Sequence, residues 1–311
     1  MVPHRLQGLV LVAVMALAVA GCGGGTVQVD FSRSESTVQP ATASAPRADV
    51  VRMAIGSMLS SQPTLAQYEQ LADYLGGKLG RPVQLVEGKT YGEVNNLVES
   101  GDVTLAYVCT NPYLQGRQDF GMEMLAAPEV HGETSYYSLL IVGRDVNARS
   151  LADLRGGTFA FSDPLSNSGR LVPLYYLARL GQTPDSFFSR TIFTYSHDKS
   201  IRAVADGIVQ AAAVDSMVFD YMRVAEPGVT DKVKVIERWG PFGVSPFVVN
   251  PRLDPTLKAK LQQILLDMDE DPQGKAVLQR LMVDRYVVPD DHTYDSVRVM
   301  RAYLREHGLV P

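Results

Sequence analysis

The chain has 311 residues, 46% hydrophobic and 20% charged, enough apolar material for one large or two modest domains. Its formal charge of −5 leaves no basic footprint, which argues against nucleic acid as a partner. Two cysteines allow at most one disulfide.

His4 and Arg5 give a short positive start, and Leu9 to Val19 an apolar run that is short for a bilayer span. Val19-Ala20-Gly21-Cys22 closes it. Small residues there suit any secretory cleavage site, with Cys22 then incidental. Glycine-cysteine after an apolar run also resembles the bacterial lipobox, which implies that Cys22 is lipidated and becomes the mature N-terminus. Residues 1–22 are accordingly read as a lipoprotein signal, and the anchor as membrane attachment through acyl chains. Residues 23–48, rich in Gly, Ser, Thr, Ala and Pro, bury too little to fold. As a flexible tether of about 26 residues they reach roughly 25–30 Å.

From Val50 the pattern alternates. An apolar strand over 50–55 is followed by a helical stripe over 64–79 (Leu65, Tyr68, Leu71, Leu75, Leu79), a strand over 83–86, a helix over 92–100 and a strand over 103–109. Tyr136 to Val142 is a strong strand. The β-α rhythm restarts at Leu151, with strands over 158–161, 191–195 and 211–214, and helices over 168–180 and 198–206. Strand candidates follow over 233–236 and 247–249, then helices over 255–268, 272–282 and 294–307. This alternation predicts an α/β protein with largely parallel sheet.

The stretch from Phe159 to Leu177 carries the strongest functional signal. A short strand turns through Asp163-Pro164, reaches Ser166, Asn167, Ser168 and Gly169, and runs directly into a helix. The first turn of a helix has unpaired N–H groups and a partial positive charge, so hydroxyls and a glycine there suit a tetrahedral anion. An ordinary N-cap explains the same spacing. No P-loop lysine follows, which argues against a nucleoside triphosphate.

Asp163-Pro-x-Ser-Asn-Ser-Gly-x-Leu-x-Pro resembles the signature of the phosphonate and phosphite substrate-binding proteins of ABC transporters. The likeness runs over roughly 50–285, through Tyr91-Gly-Glu-Val, Gly101-Asp-Val-Thr-Leu-Ala-Tyr, Ser150-Leu-Ala-Asp-Leu-Arg-Gly, the signature, and His197 in Tyr-Ser-His-Asp. It implies a two-lobed type II periplasmic binding fold with two hinge crossovers. One lobe would hold 49–143 plus 248–311 and the other 144–247, with ligand between them. It further implies an extracytoplasmic monomer that captures a phosphonate, phosphite or phosphate for an ABC permease. The alternative is a sensor, for an oxyanion or for arsenite through Cys109, that signals to a membrane receptor kinase.

Within that resemblance Ser166, Asn167, Ser168, the Gly169 backbone, Tyr91 and His197 form an anion cage. Tyr91 also suits a half-buried lobe cap, and His197 a helix-capping residue. Asp215, at the end of the 211–214 strand, either accepts a hydrogen bond from a protonated oxyanion or caps the next helix. The family often carries an earlier carboxylate, where this chain has Gln210. Cys109 stands where phosphonate binders usually have a small residue; it is either a buried filler or a soft ligand, as in the related arsenite sensors. The five histidines lack metal-ligand spacing, and no nucleophile elbow or paired carboxylates appear, so neither cofactor, metal nor enzymatic activity is expected.

Overall fold

The computed structural model of the protein describes residues 50–56 and 62–310, so the expectations for 1–48, Cys22 included, lie outside the described residues. The chain opens with β1 (Val51–Gly56), α1 (Gln62–Leu79), β2 (Val83–Gly88), α2 (Tyr91–Ser100), β3 (Leu105–Tyr107), α3 (Thr110–Phe120) and β4 (Glu123–Glu129). It crosses to β5 (Ser135–Gly143), β6 (Thr158–Phe161), α4 (Val172–Arg179), α5 (Pro184–Phe187), β7 (Arg190–Phe193), α6 (His197–Ala205), β8 (Ala211–Asp215), α7 (Ser216–Ala225), α8 (Pro227–Thr230) and β9 (Val233–Gly243). It then returns through β10 (Phe247–Val249), α9 (Pro255–Leu266), α10 (Pro272–Leu281), β11 (Arg285–Val287) and α11 (Asp295–Glu306).

Two sheets result, ordered β11-β4-β10-β3-β1-β2 and β7-β6-β8-β5-β9. Both are mixed, which corrects the largely parallel expectation: β2-β1-β3 and β7-β6-β8 are parallel, and the remaining strands pair antiparallel. β5 and β10 enter each sheet directly from a crossing, without an intervening helix, and so run antiparallel to the neighbours they meet. In the first lobe Met53 and Ile55 face Leu71 and Leu75 of α1, while Ala54 faces Val94 and Val98 of α2. In the second, Phe159 and Phe161 face Leu174 and Leu177 of α4, and Ala160 faces Ile201 and Val204 of α6. Fully burying such side chains contributes about 1.5–3 kcal/mol each, so each sheet carries a core of its own.

The lobe boundaries differ from those expected. β5 pairs with β8 and β9, so the first crossing lies at 130–134 rather than after 143. Strand character alone does not say which sheet a strand joins. The return crossing lies at 244–246, close to the expected 247. α11 also departs from the first lobe: Tyr303 meets Tyr175 of α4 edge-to-face at 5.2 Å, and Val297, Met300 and Leu304 share a core with Leu171 and Leu174. β4 carries Ala-Ala-Pro, residues depleted in strands, and its periodicity hides it.

Candidate functional site

β6 delivers the chain to the signature loop, and the helix expected there begins as a wide π-helical turn, Asn167–Leu171. Its first closing bond runs from Leu171 N–H to the Ser166 carbonyl, at 2.9 Å. Ser166 is the N-cap: its Oγ accepts from Gly169 N–H at 3.0 Å. Gly169 therefore uses its N–H inside the loop, and the donor expected there for a ligand is already engaged. Its lack of a side chain matters more. A Cβ at Gly169 would lie 2.3 Å from Ser162 Oγ, 2.6 Å from Ser162 Cβ and 3.0 Å from His197 Cε1. Ser138 Oγ on β5 donates to the Ser168 carbonyl at 2.8 Å and fixes the turn from below.

His197, fully buried at the start of α6, stands behind this loop. Asp215 N–H donates to its Nδ1 at 3.2 Å, and Ser162 Oγ lies 2.9 Å from the same atom. A nitrogen that accepts from an amide carries no proton, so the ring proton sits on Nε2. Nε2 faces Ser166 Oγ at 3.4 Å, the long end of a hydrogen bond, and can share its proton with a group beside Ser166. Burial pushes the imidazolium down to about 4, with Asp198 pulling the other way, so His197 is neutral at pH 7. Ser166 Oγ accepts twice, from Gly169 and from His197, and its own hydroxyl proton is left to donate.

The first lobe supplies the opposite wall. Tyr91 begins α2 and its N–H donates across the cleft to Asp163 Oδ2 at 3.1 Å. Asn111 Nδ2 crosses likewise to the Leu165 carbonyl at 2.8 Å, and Gln67 Nε2 to Tyr221 Oη at 3.4 Å. Asn167 Nδ2 donates to Tyr136 Oη on β5 at 2.9 Å. Either orientation of that amide keeps the bond, because a phenol donates and accepts; one presents a carbonyl oxygen and the other an amino donor. Tyr91 Oη, Asn167 Oδ1 and Ser168 Oγ are buried and have no hydrogen-bond partner among the described residues. Groups of this kind cost about 1–3 kcal/mol each unless something meets them.

Asp215 ends β8, and its Oδ1 accepts from Met217 and Val218 N–H at 2.7 and 3.3 Å, so the helix-cap reading is realised. Burial pushes its carboxyl up to about 7, with those two N–H groups pulling back. It also lines a cavity of about 130 Å³ between the lobes, with Tyr68 and Tyr107 opposite and Met217 and Tyr221 beside it.

Cys109 is the N-cap of α3, 1% exposed, and its sulfur faces the backbone N–H groups of Asn167, Asn111 and Thr110. Burial nonetheless pushes the thiol up to about 12, above what those donors recover, so it stays protonated.

All eight expected residues thus fall in the region where the lobes meet. Asp163, the first residue of the signature, joins them through the Tyr91 N–H, and Ser138, Ser162 and Tyr136 complete the site without a signal of their own in sequence, since serines and tyrosines in and beside strands are common. Among the described residues no group of three or more His, Cys, Asp or Glu could hold a metal ion.

The sequence model of a protein family described as periplasmic substrate-binding proteins of phosphonate ABC transporters matches residues 53–294. The phosphonates-binding periplasmic protein of Escherichia coli (strain K12) is 32% identical over 182 residues. That match takes in 57% of this chain and 54% of the other, so the chain spans about half the length of the curated relative it matches. A binding component of a phosphonate ABC transporter from Pseudomonas aeruginosa superposes with a TM-score of 0.77 at 25% identity, over 82% of this chain and 86% of that one. The methylphosphonate complex of PhnD1 from Prochlorococcus marinus (MIT 9301) superposes with a TM-score of 0.75 at 17% identity, over 84% and 99%, and shares the fold.

Proposed function

This chain belongs to the family of periplasmic substrate-binding proteins of phosphonate ABC transporters, and we propose that it captures a small tetrahedral phosphorus oxyanion between its lobes for such a transporter. The family is one of binding proteins rather than enzymes. The observation that carries the ligand reading is the trio Tyr91 Oη, Asn167 Oδ1 and Ser168 Oγ, buried, drawn from both lobes and without partners among the described residues. Ser166 adds a hydroxyl proton, and His197 Nε2 lies beside it. A formal cation is absent from this set, so the anion is held by neutral donors, Asn167 joining them in the amide orientation that turns its oxygen to Tyr136 Oη and its amino group to the ligand. Asp215, with its carboxyl near 7, accepts from a protonated phosphonate oxygen when ionised and donates when protonated. The name of the Prochlorococcus neighbour makes methylphosphonate the first probe.

Val19-Ala20-Gly21-Cys22 supports an extracytoplasmic protein anchored through Cys22. Fractionation of cells expressing Cys22→Ser then finds protein released that the wild type keeps on the membrane; equal release of both refutes the anchor. The alternative is a sensor, for an oxyanion or for arsenite, that signals to a receptor kinase; its arsenite form rests on the Cys109 thiol among the ligand groups, which burial keeps protonated at neutral pH.

Calorimetric titration with methylphosphonate, phosphite, phosphate and arsenite tests the reading. Wild type binds at least one phosphorus oxyanion, Ser168→Ala and Tyr91→Phe each weaken it about tenfold or more, and Cys109→Ser leaves it within a few-fold. Indifference to all three phosphorus ligands overturns the proposal. Arsenite binding that disappears in Cys109→Ser overturns the phosphorus oxyanion as the ligand.

A further inference from the structure

The cavity of about 130 Å³ between the lobes is walled by rings and aliphatic chains: Tyr68, Tyr107, Leu281 and Tyr286 from the first lobe, Met217 and Val218 from α7. Its aromatic side is braced, because Tyr68 meets Tyr107 at 5.9 Å, Tyr107 meets Phe247 at 5.0 Å and Phe247 meets Tyr286 at 5.5 Å. Two residues join it to the anion cage. Asp215 lines the cavity, and its N–H donates to His197 Nδ1 at 3.2 Å. Gly56 lines it from the other lobe, and a Cβ there would stand 3.1 Å from Tyr91 Cδ1, so the Tyr91 ring packs directly against Gly56.

The acids of the lining are engaged, and among the described residues it includes no lysine or arginine. Asp220 is exposed and pairs with Arg223 at 3.5 Å. Asp215 spends Oδ1 on two N–H groups of α7, and burial pushes its carboxyl up to about 7, so it offers a weak hold on a cation at neutral pH. Gln67 is turned to Tyr221 Oη, and His131 and Ser245 are the remaining polar members. An apolar cavity of about 150 Å³ holds benzene, so one of about 130 Å³ has room for a short carbon chain.

We propose that this cavity receives the organic substituent of the captured phosphonate and selects a neutral alkyl chain of about three to five carbons. The proposal rests on the phosphorus-oxyanion reading of the cleft and adds what distinguishes one such ligand from another. Phosphate and phosphite place nothing against the tyrosine and methionine walls, and a methyl group covers little of them. A longer chain removes that apolar surface from water together with its own.

Calorimetric titration of the full chain with phosphite, methyl-, propyl- and butylphosphonate, and 2-aminoethylphosphonate tests this. Affinity rises about threefold to fourfold per methylene, so butylphosphonate binds wild type about tenfold or more tighter than methylphosphonate. Propylphosphonate binds tighter than 2-aminoethylphosphonate, which has nearly the same shape and ends in a cation. Met217→Trp, at a half-buried position on α7, narrows the cavity. It weakens butylphosphonate about tenfold and leaves methylphosphonate within a few-fold. A melting curve checks the fold of that variant, and the wild-type series decides the matter if the fold is lost. Methylphosphonate binding as tightly as butylphosphonate, or a butyl preference kept by folded Met217→Trp, overturns the proposal. A lead of 2-aminoethylphosphonate over propylphosphonate assigns the cavity to a cation and overturns it equally. In each of these cases a phosphorus ligand still binds and the cleft reading stands. Indifference to the whole series, phosphite included, defeats that reading and this proposal with it.

Discussion

The two walls of the cleft are held in different ways. On the second-lobe wall, Ser138, Ser162 and His197 brace the signature loop, Gly169 leaves room for them, and Asn167 Oδ1 and Ser168 Oγ remain buried without a partner among the described residues. On the first-lobe wall, Tyr91 has no partner for its hydroxyl among the described residues, and the wall meets its opposite mainly through single hydrogen bonds to Asp163, Leu165 and Tyr221. One wall is preorganised; the other is positioned by closure. Preorganised donors cost no reorganisation when the anion arrives, while closure contacts add only what the closed state gains over the open one. Changes on the second-lobe wall should therefore affect affinity most.

A matched pair of glycine substitutions breaks the comparison if it is wrong. Gly169→Ala forces its Cβ against Ser162 Oγ and Cβ, at 2.3 and 2.6 Å, and nothing there is a flexible chain end. Overpacking of this kind costs about 1–3 kcal/mol, and here it also displaces Ser166 and Ser168. Tm should fall by several degrees, and methylphosphonate binding should drop below detection. Gly92→Ala, on the first-lobe wall, meets nothing closer than Leu165 Cδ1 at 3.8 Å. It should leave binding within a few-fold and stability unchanged or slightly higher, since alanine is the better helix former. Equal damage from both would remove the distinction.

Asp215 and His197 sharpen it through pH. Asp215 ionises near 4 when unfolded and near 7 when folded, so the folded state binds more protons between those values and its contribution to stability falls as pH rises. His197 is lowered from 6.5 to about 4, so the unfolded state binds more protons in that window and stability rises with pH. Each effect is on the order of a few kcal/mol, and in wild type they oppose. Asp215→Asn keeps a good N-cap and leaves the His197 slope, so ligand-free Tm relative to wild type should climb between pH 4 and 7. His197→Asn should give the opposite difference curve. Difference curves that are both flat would mean that neither group is shifted by burial.

Much of this was legible in sequence. The helix-start chemistry of Ser166 to Gly169 and the strand-end place of Asp215 are local patterns, and the structure places both where the lobes meet. The bracing was not legible. Ser162 is 35 residues from His197, and Ser138 is 30 from Ser168. Pairing of β6 with β7 brings the first two together, and pairing of β6 with β8 and of β8 with β5 the second two. The same non-local pairing decides which lobe owns β5, and it is why the first hinge was misplaced. Gly169 was legible as a glycine but not for its reason, which is the approach of Ser162.

Closure contacts offer the finest test, because they differ in burial and reach. Asn111 Nδ2 meets the Leu165 carbonyl at 2.8 Å, in a region where Arg301 fixes the amide by bonding its Oδ1. Gln67 Nε2 meets Tyr221 Oη at 3.4 Å, long and only partly buried. A net hydrogen bond contributes about 0.5–1.5 kcal/mol, and one at the limit of range falls at the bottom of that span or below it. Tyr221→Phe keeps the ring and deletes the hydroxyl alone. Methylphosphonate affinity should fall by about twofold or less, and the ligand-free melting temperature should not move if the bond forms only when the lobes meet. Asn111→Ala should weaken binding more, by about three- to tenfold, with some loss of stability because Arg301 is left without its acceptor. A Tyr221→Phe effect exceeding that of Asn111→Ala would mean that the outer contact, and not the Asp163–Leu165 turn, holds the lobes together.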